Sequence, residues 1–191
     1  LNYIGGKYKL LPQLIEFFPE KINTFVDLFS GGFNVGINVD CNKVICNDMN
    51  TFIIDLYKEL YSKPIDETLN KITGRINEYG LSKENEEAFK KFRDYYNKTK
   101  EPIDLYTLSC YSFNYQFRFN NNKEYNNPFG RNRSQFSDNM RNNLILFTQK
   151  LKDMNIEFSS EQFDKLNLQD LNNNDFVYCD PPYLITTGSY N

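Results

Sequence analysis

Apolar positions follow two different spacings along the chain. Short, nearly continuous apolar runs occupy 25–29 (Phe25-Val26-Asp27-Leu28-Phe29), 43–47, 156–158 and 176–179. Runs of that length, bounded by Gly, Asn or Pro, predict buried strands of a parallel sheet. Helical spacing marks 10–18, and again Ile53, Ile54, Leu56, Tyr57 and Leu60 within 50–61. More polar helices are predicted over 65–79, over 83–97 with Ser82 at its start, over 103–113 and over 138–151. Between the last two, Gln116-Phe117-Arg118-Phe119-Asn120 alternates, meets an Asn/Lys turn and resumes at Tyr125, which predicts a hairpin. The fold class is therefore α/β, its strand–helix alternation broken by a mainly helical insert.

Glycine and proline place chemistry at the strand ends. The strand over 25–29 runs into Ser30-Gly31-Gly32, with a helix predicted to begin near Phe33. A strand, a glycine turn and a helix together cradle nucleotide-like ligands. The sequence lacks the Gly-Lys-Ser/Thr of a phosphate loop, and Asp27 inside the strand departs from the dinucleotide fingerprint. Asp48 closes the second strand, where a carboxylate commonly accepts from ribose hydroxyls. At the other end of the chain, Asp180-Pro181-Pro182-Tyr183 stops the last strand. This motif offers a carboxylate, a backbone carbonyl outside any ladder and a flat aromatic face, a set suited to a planar base bearing an amino group. Near the start, Gly5-Gly6 permits close backbone approach and Lys7 can reach an anionic group.

Composition narrows the chemistry. There is no histidine, which excludes histidine acid–base catalysis and histidine-ligated zinc. Cys41, Cys46, Cys110 and Cys179 lack paired spacing and are expected to be reduced thiols. No apolar run of about 18 residues occurs, so a soluble, cytoplasmic protein is expected. The net charge is −3, but the segment 115–141 sets Arg118, Lys123, Arg131, Arg133 and Arg141 against Glu124 and Asp138. This basic, aromatic-rich stretch on an otherwise acidic chain is compatible with a nucleic-acid face.

Taken in order, Tyr3-x-Gly5-Gly6-Lys7, Asp27-x-Phe29-x-Gly31-Gly32, Asn47-Asp48, the basic-aromatic insert and Asp180-Pro181-Pro182-Tyr183 resemble the Dam-type DNA adenine methyltransferases. The order is the family's alpha arrangement, the likeness spans essentially the whole chain, and it is strongest to bacteriophage members. It implies a Rossmann-like S-adenosylmethionine-dependent sheet, incomplete at its C-terminal end, with a target-recognition insert bearing the hairpin. Residues 1–60 and 143–191 would form the catalytic domain and 61–142 the recognition domain. Tyr3, Lys7, Asp48 and Asp180 match cofactor contacts. Gly31 and Gly32, with Asp27 on the strand before them, would pass beneath the methionine part, and Phe163 would cover the adenine. Asp180, Pro181, Pro182 and Tyr183 match the catalytic motif, which needs no metal. The DNA-facing residues would be Phe113 and Asn114 at a wedge, Arg118 reading guanine (usually in GATC), Asn120 beside it, and Arg131 and Arg133 on phosphates. The implied partner is double-stranded DNA with a flipped adenine, in a bacterial or phage-infected cell.

Family members continue for several tens of residues beyond the position of Asn191. The family's sheet order would place the strands near 25, 44, 156 and 176 third, second, first, fourth, leaving the last at an edge open to pairing. Two other functions stay open at the level of sequence: a methyltransferase acting on RNA or protein, and a non-enzymatic cofactor- or DNA-binding remnant.

Overall fold

A computed structural model describes residues 6–181. Tyr3, Pro182 and Tyr183 lie outside them. Among the described residues, four parallel strands form one sheet: β1 (Thr24–Asp27), β2 (Lys43–Asn47), β3 (Ile156–Ser159) and β4 (Phe176–Tyr178), in the order β3-β2-β1-β4. This is the expected order, and β4 pairs with β1 alone among the described residues. Register places Asp27 opposite both Cys46 and Tyr178, so the carboxyl ends of the three strands finish level.

Alternation along β1 separates the two faces of the sheet. Phe25 belongs to the main core, whereas Val26 and Leu28 join Ile45 in a small cluster covered by Phe29, Leu166, Leu168 and Leu171. On the main face, Phe18 and Phe25 pack against Phe176 and Tyr178 with ring centroids 5.0–6.3 Å apart. Rings at these separations add to the area they bury.

The described residues also form six α-helices. The expected helix over 10–18 is shorter, a 3₁₀ turn followed by α1 (Leu11–Ile15); Phe17 points into solvent and Pro19 prevents continuation. α2 (Thr51–Ser62) is capped by Asn50, whose side chain accepts from Phe52 N–H at 3.2 Å. α3 (Ile65–Tyr79) ends at Gly80 in the left-handed conformation. α4 (Glu86–Thr99) starts later than expected, because Asn85 rather than Ser82 supplies the cap. α5 (Pro102–Cys110) is buried at every position after Pro102. α6 (Asp138–Asp153) is capped by Ser137 and returns the chain to β3.

The largest departure lies after β1. No α-helix begins near Phe33; that residue has φ 54° and ends a turn closed by its N–H on Ser30 O, and a 3₁₀ turn follows at Gly36–Asn38. The left-handed backbone there is tolerated because the Phe33 ring is fully buried and packs on Tyr57.

The expected hairpin is minimal. A single bridge joins Phe119 and Tyr125, and Asn120 N–H donates to Glu124 O. Its stiffness comes from side chains instead. Asn97 on α4 accepts from Tyr125 N–H at 2.7 Å and donates to Tyr125 O at 3.2 Å, replacing the neighbouring strand the hairpin lacks. α2 to α6 and the sheet share one continuous core.

Between α3 and α5, the fully buried Asp104 receives Arg75 Nε at 3.1 Å. The Arg75 guanidinium also reaches the Tyr95 hydroxyl at 2.8 Å. Removing one member of such a pair strands the other's charge in the interior. Arg75→Ala is expected to destabilise the fold by about 3–5 kcal/mol. The Arg75→Ala/Asp104→Ala double variant should lose less than the sum of the single changes, a difference that urea denaturation of all four proteins would measure.

Candidate active site

A cavity of about 490 Å³ opens at the carboxyl ends of β1, β2 and β4, a volume in the range of small-molecule sites. Four of the stretches that wall it lie around the ends of the strands. The first is the turn after β1 and the second is the segment from Asn47 to Phe52. Glu161 and Phe163 follow β3, and Asp180 and Pro181 follow β4.

Asp48 joins the first wall to the second and braces the second internally. Asp48 Oδ2 accepts from Gly31 N–H at 2.7 Å, and Asp48 Oδ1 accepts from Asn50 N–H at 2.8 Å. Each carboxylate oxygen keeps a further lone pair for a ligand hydroxyl. Burial pushes the Asp48 carboxyl up, opposed by those two N–H groups. Tyr57 from α2 donates its hydroxyl to Gly31 O at 2.6 Å, so the glycine turn is held from both sides. Gly31 has φ 45°, the conformation that glycine adopts at least cost. Gly32 lies beside it in the cavity wall.

Asp27 sits at the floor, 2% exposed yet facing the cavity. Its Oδ2 accepts from Gly36 N–H at 3.0 Å. Burial pushes its carboxyl up to about 7, against the lowering pull of that N–H, with Asp48 and Asp180 adding to the rise.

At the mouth, Lys7 Nζ stands 2.5 Å from Asp180 Oδ2. Lysine and carboxylate thus meet from opposite ends of the chain, and Lys7 contacts the acid of the last motif. Phe163 is exposed, with its ring centroid 5.7 Å from that of Phe29, and presents a face to the cavity.

Three contributions were not visible in the sequence. Asn47, buried, donates to Leu28 O and Glu161 O and accepts from Glu161 N–H, tying the post-β3 loop to the end of β1. Phe52 stacks on Phe119 at 4.5 Å, so the hairpin supplies part of the cavity wall through Phe117, Phe119, Asn120 and Lys123. Lys100, with φ 55°, sets its ammonium over the Phe52 and Tyr96 rings and donates to Lys123 O at 2.7 Å. Only the Asn-Asp dipeptide at 47–48 hinted at the first; the other two depend on contacts between distant segments.

The candidate DNA residues divide. Phe113 and Asn114 lie exposed on a short turn in which Asn114 and Tyr115 both have positive φ, 54° and 57°. The buried Asn127 holds that turn by donating to Phe113 O and Gln116 O. Non-glycine residues persist in that conformation only where surroundings enforce it. Phe117 and Phe119 turn inward while Arg118 between them is half-buried. Asn120 faces the cavity, and its Nδ2 donates to Glu124 at 2.9 Å. Arg131 is paired with Glu86, whereas the exposed Arg133 has no ion pair among the described residues. Among those residues no helix is long and apolar enough to cross a membrane, and no cluster of metal-binding side chains occurs.

Comparison with known proteins places the chain in a family. Residues 3–191 match the D12 class N6 adenine-specific DNA methyltransferases. The chain is 61% identical to the type II methyltransferase M.FokI of Planomicrobium okeanokoites over its whole length, covering 30% of that protein. It is 57% identical to the modification methylase StsI of Streptococcus sanguinis, covering 29% of it. To the DNA adenine methylase of Escherichia coli K12 it is 30% identical, with 66% of that protein covered. The chain thus spans about a third or less of the two more similar of these relatives. The chain belongs to the D12 class of N6 adenine-specific DNA methyltransferases.

Proposed function

We propose that the cavity binds S-adenosylmethionine and that the chain carries the catalytic motif for transferring its methyl group to an adenine amino nitrogen in duplex DNA. The observation that carries this reading is that Asp180 and Asp48 open onto one cavity. A group that could engage a target amine and one that could engage a ribose are therefore within reach of a single bound ligand.

The residues fit that ligand chemically. Asp48 accepts from ribose hydroxyls, the Gly31-Gly32 turn lets the backbone approach closely, and Phe163 offers a face for the purine. Tyr3 would join them from outside the described residues. When bound, S-adenosylmethionine supplies an electrophilic methyl group on a sulfonium.

The chain's own residues prepare the nucleophile. The lone pair of an adenine amino nitrogen is delocalised into the ring. Asp180 and the Pro181 carbonyl accept its two hydrogens and favour a tetrahedral nitrogen. Lys7 holds the Asp180 carboxylate at the mouth, so it acts as a positioning residue. Tyr183 stacks on the base, which must leave the duplex to enter.

The insert, assigned as 61–142, reads the target. Arg118 contacts guanine, Phe113 and Asn114 enter or touch the duplex, Asn120 stands beside them, and Arg131 and Arg133 contact phosphates. The relatives carry several different names, so GATC is the first site to test rather than a consequence of the family. The protein works in the cytoplasm, with a role in modification.

Asp180→Ala is expected to abolish methyl incorporation into GATC duplex and its single-base variants while leaving DNA affinity within a few-fold. Turnover retained in a radiolabelled-methyl assay would remove the catalytic role. The same assay with RNA and protein acceptors tests the substrate class.

Arg118→Ala should lower discrimination at one base pair by about 1–3 kcal/mol. Arg131→Ala should weaken all duplexes alike and reduce the salt slope by about one unit. Glu86→Gln should do the reverse of the latter, because Arg131 must leave Glu86 to reach a phosphate. Competition binding across the variant duplexes at two salt concentrations distinguishes these outcomes.

A further inference from the structure

We propose that Asn97 and Lys100, at the end of α4, set sequence discrimination without touching DNA, by holding the hairpin so that Arg118 meets its base pair in one position. The proposal rests on the reading of Arg118 as a base contact and adds two positioning residues behind it.

The hairpin cannot supply that rigidity itself. One bridge joins its strands, and its tip at 121–124 is exposed. Two strands alone are marginally stable in water. A bidentate guanidinium contact, however, needs two donors held against two acceptors of one base edge.

The missing support comes through Tyr125. Arg118 O accepts from Asn126 N–H at 3.0 Å, so the backbone of Arg118 follows that of its partner strand. Asn97 fixes that strand with both ends of its amide, accepting from Tyr125 N–H and donating to Tyr125 O. The Tyr125 hydroxyl donates to Gln116 O at 2.8 Å, which holds the chain two residues before Arg118 as well. Lys100 completes the set. Its ammonium donates to Asn97 Oδ1 at 3.3 Å and to Lys123 O at 2.7 Å.

The backbone at Lys100 is an independent observation. This residue caps α4 in the left-handed conformation, where helices commonly use glycine, as α3 does at Gly80. Lysine there carries a backbone cost that glycine avoids. The contacts of its side chain converge on the hairpin: Lys123 belongs to it, Asn97 and Tyr96 meet Tyr125, and Phe52 stacks on Phe119. The helix end alone would favour glycine; the hairpin accounts for the lysine.

Selection from a randomised duplex pool, with the bound fraction sequenced, tests the proposal without assuming a target site. The wild-type chain should show a position whose preference is lost on Arg118→Ala. Lys100→Gly relieves the backbone while removing the ammonium, and it should flatten that same position by about fivefold or more, the least a bidentate base contact contributes. Asn97→Ala should do the same. Neither variant should change the salt slope of binding, because neither residue meets a phosphate. Arg118→Ala/Lys100→Gly should flatten the position no further than Arg118→Ala alone, since the lysine acts through the arginine.

A merely structural role would reduce the folded fraction and weaken all duplexes alike, leaving the sequence profile unchanged. That outcome for Lys100→Gly and Asn97→Ala, with Arg118→Ala still flattening its position, would overturn the proposal and leave the base contact standing. Flattening at a different position would overturn it equally. A profile that Arg118→Ala does not alter would overturn both.

Discussion

The hydrogen bond from Gly31 N–H to the Asp48 carboxylate is the constraint on which the site depends. Parallel strands β1 and β2 end level, but nothing in a sheet ladder fixes the loops that leave them. One charged acceptor bridges those loops, and the same carboxylate also takes Asn50 N–H, so the start of α2 is set by the same group. Tyr57 then returns from α2 to Gly31 O, closing a ring of contacts: turn, strand end, helix and back to the turn. Charge-assisted bonds are stronger than neutral ones, and here they act on backbone groups rather than on mobile side chains. The cavity is therefore built largely before a ligand arrives, which lowers the ordering cost of binding.

That ring explains why so much was legible in the sequence. Strand positions follow from four short apolar runs and their order from the family resemblance, and both appear as expected. Asp48 and the glycine turn announce themselves because both sit immediately after apolar runs. Elements whose support is local were also readable: α3 over Ile65–Tyr79 agrees at both ends. The failures share a cause. The helix expected near Phe33 did not form because two long-range partners, Asp27 for Gly36 N–H and Tyr57 for the Phe33 ring, favour a turn. The weak hairpin survives on Asn97, a residue some thirty positions away that looks like any polar helix residue. Asn47, which positions the loop bearing Phe163, carries no periodic signal at all.

Packing joins the hairpin to the start of α2. Successive residues of the 116–120 segment face opposite ways, so Phe117 and Phe119 line the cavity while Arg118 between them is half-buried. The stacked Phe52–Phe119 pair anchors that segment to the first turn of α2, whose cap follows directly from Asp48. A shift of Arg118 along the hairpin would have to move Phe119 against Phe52. Packed side chains resist continuous deformation, so the segment is expected to move as a unit or not at all.

Charge placement shows the same economy of parts. Lys7 lies on Asp180 and Arg131 on Glu86, so two cations proposed to meet acidic or phosphate groups are already paired with carboxylates. The two pairs differ in exposure. Arg131 and Glu86 meet on the surface, where water and salt screen their attraction and an exchange for phosphate is cheap. Lys7 and Asp180 have side chains only 17% and 20% exposed, so their attraction is screened less and their geometry is held more firmly. An exchangeable pair suits a contact that must form and release along DNA. A sheltered pair suits a carboxylate that has to stand in one place while a base arrives, and that difference in screening separates the two ends of the proposed reaction more clearly than the identities of the residues do.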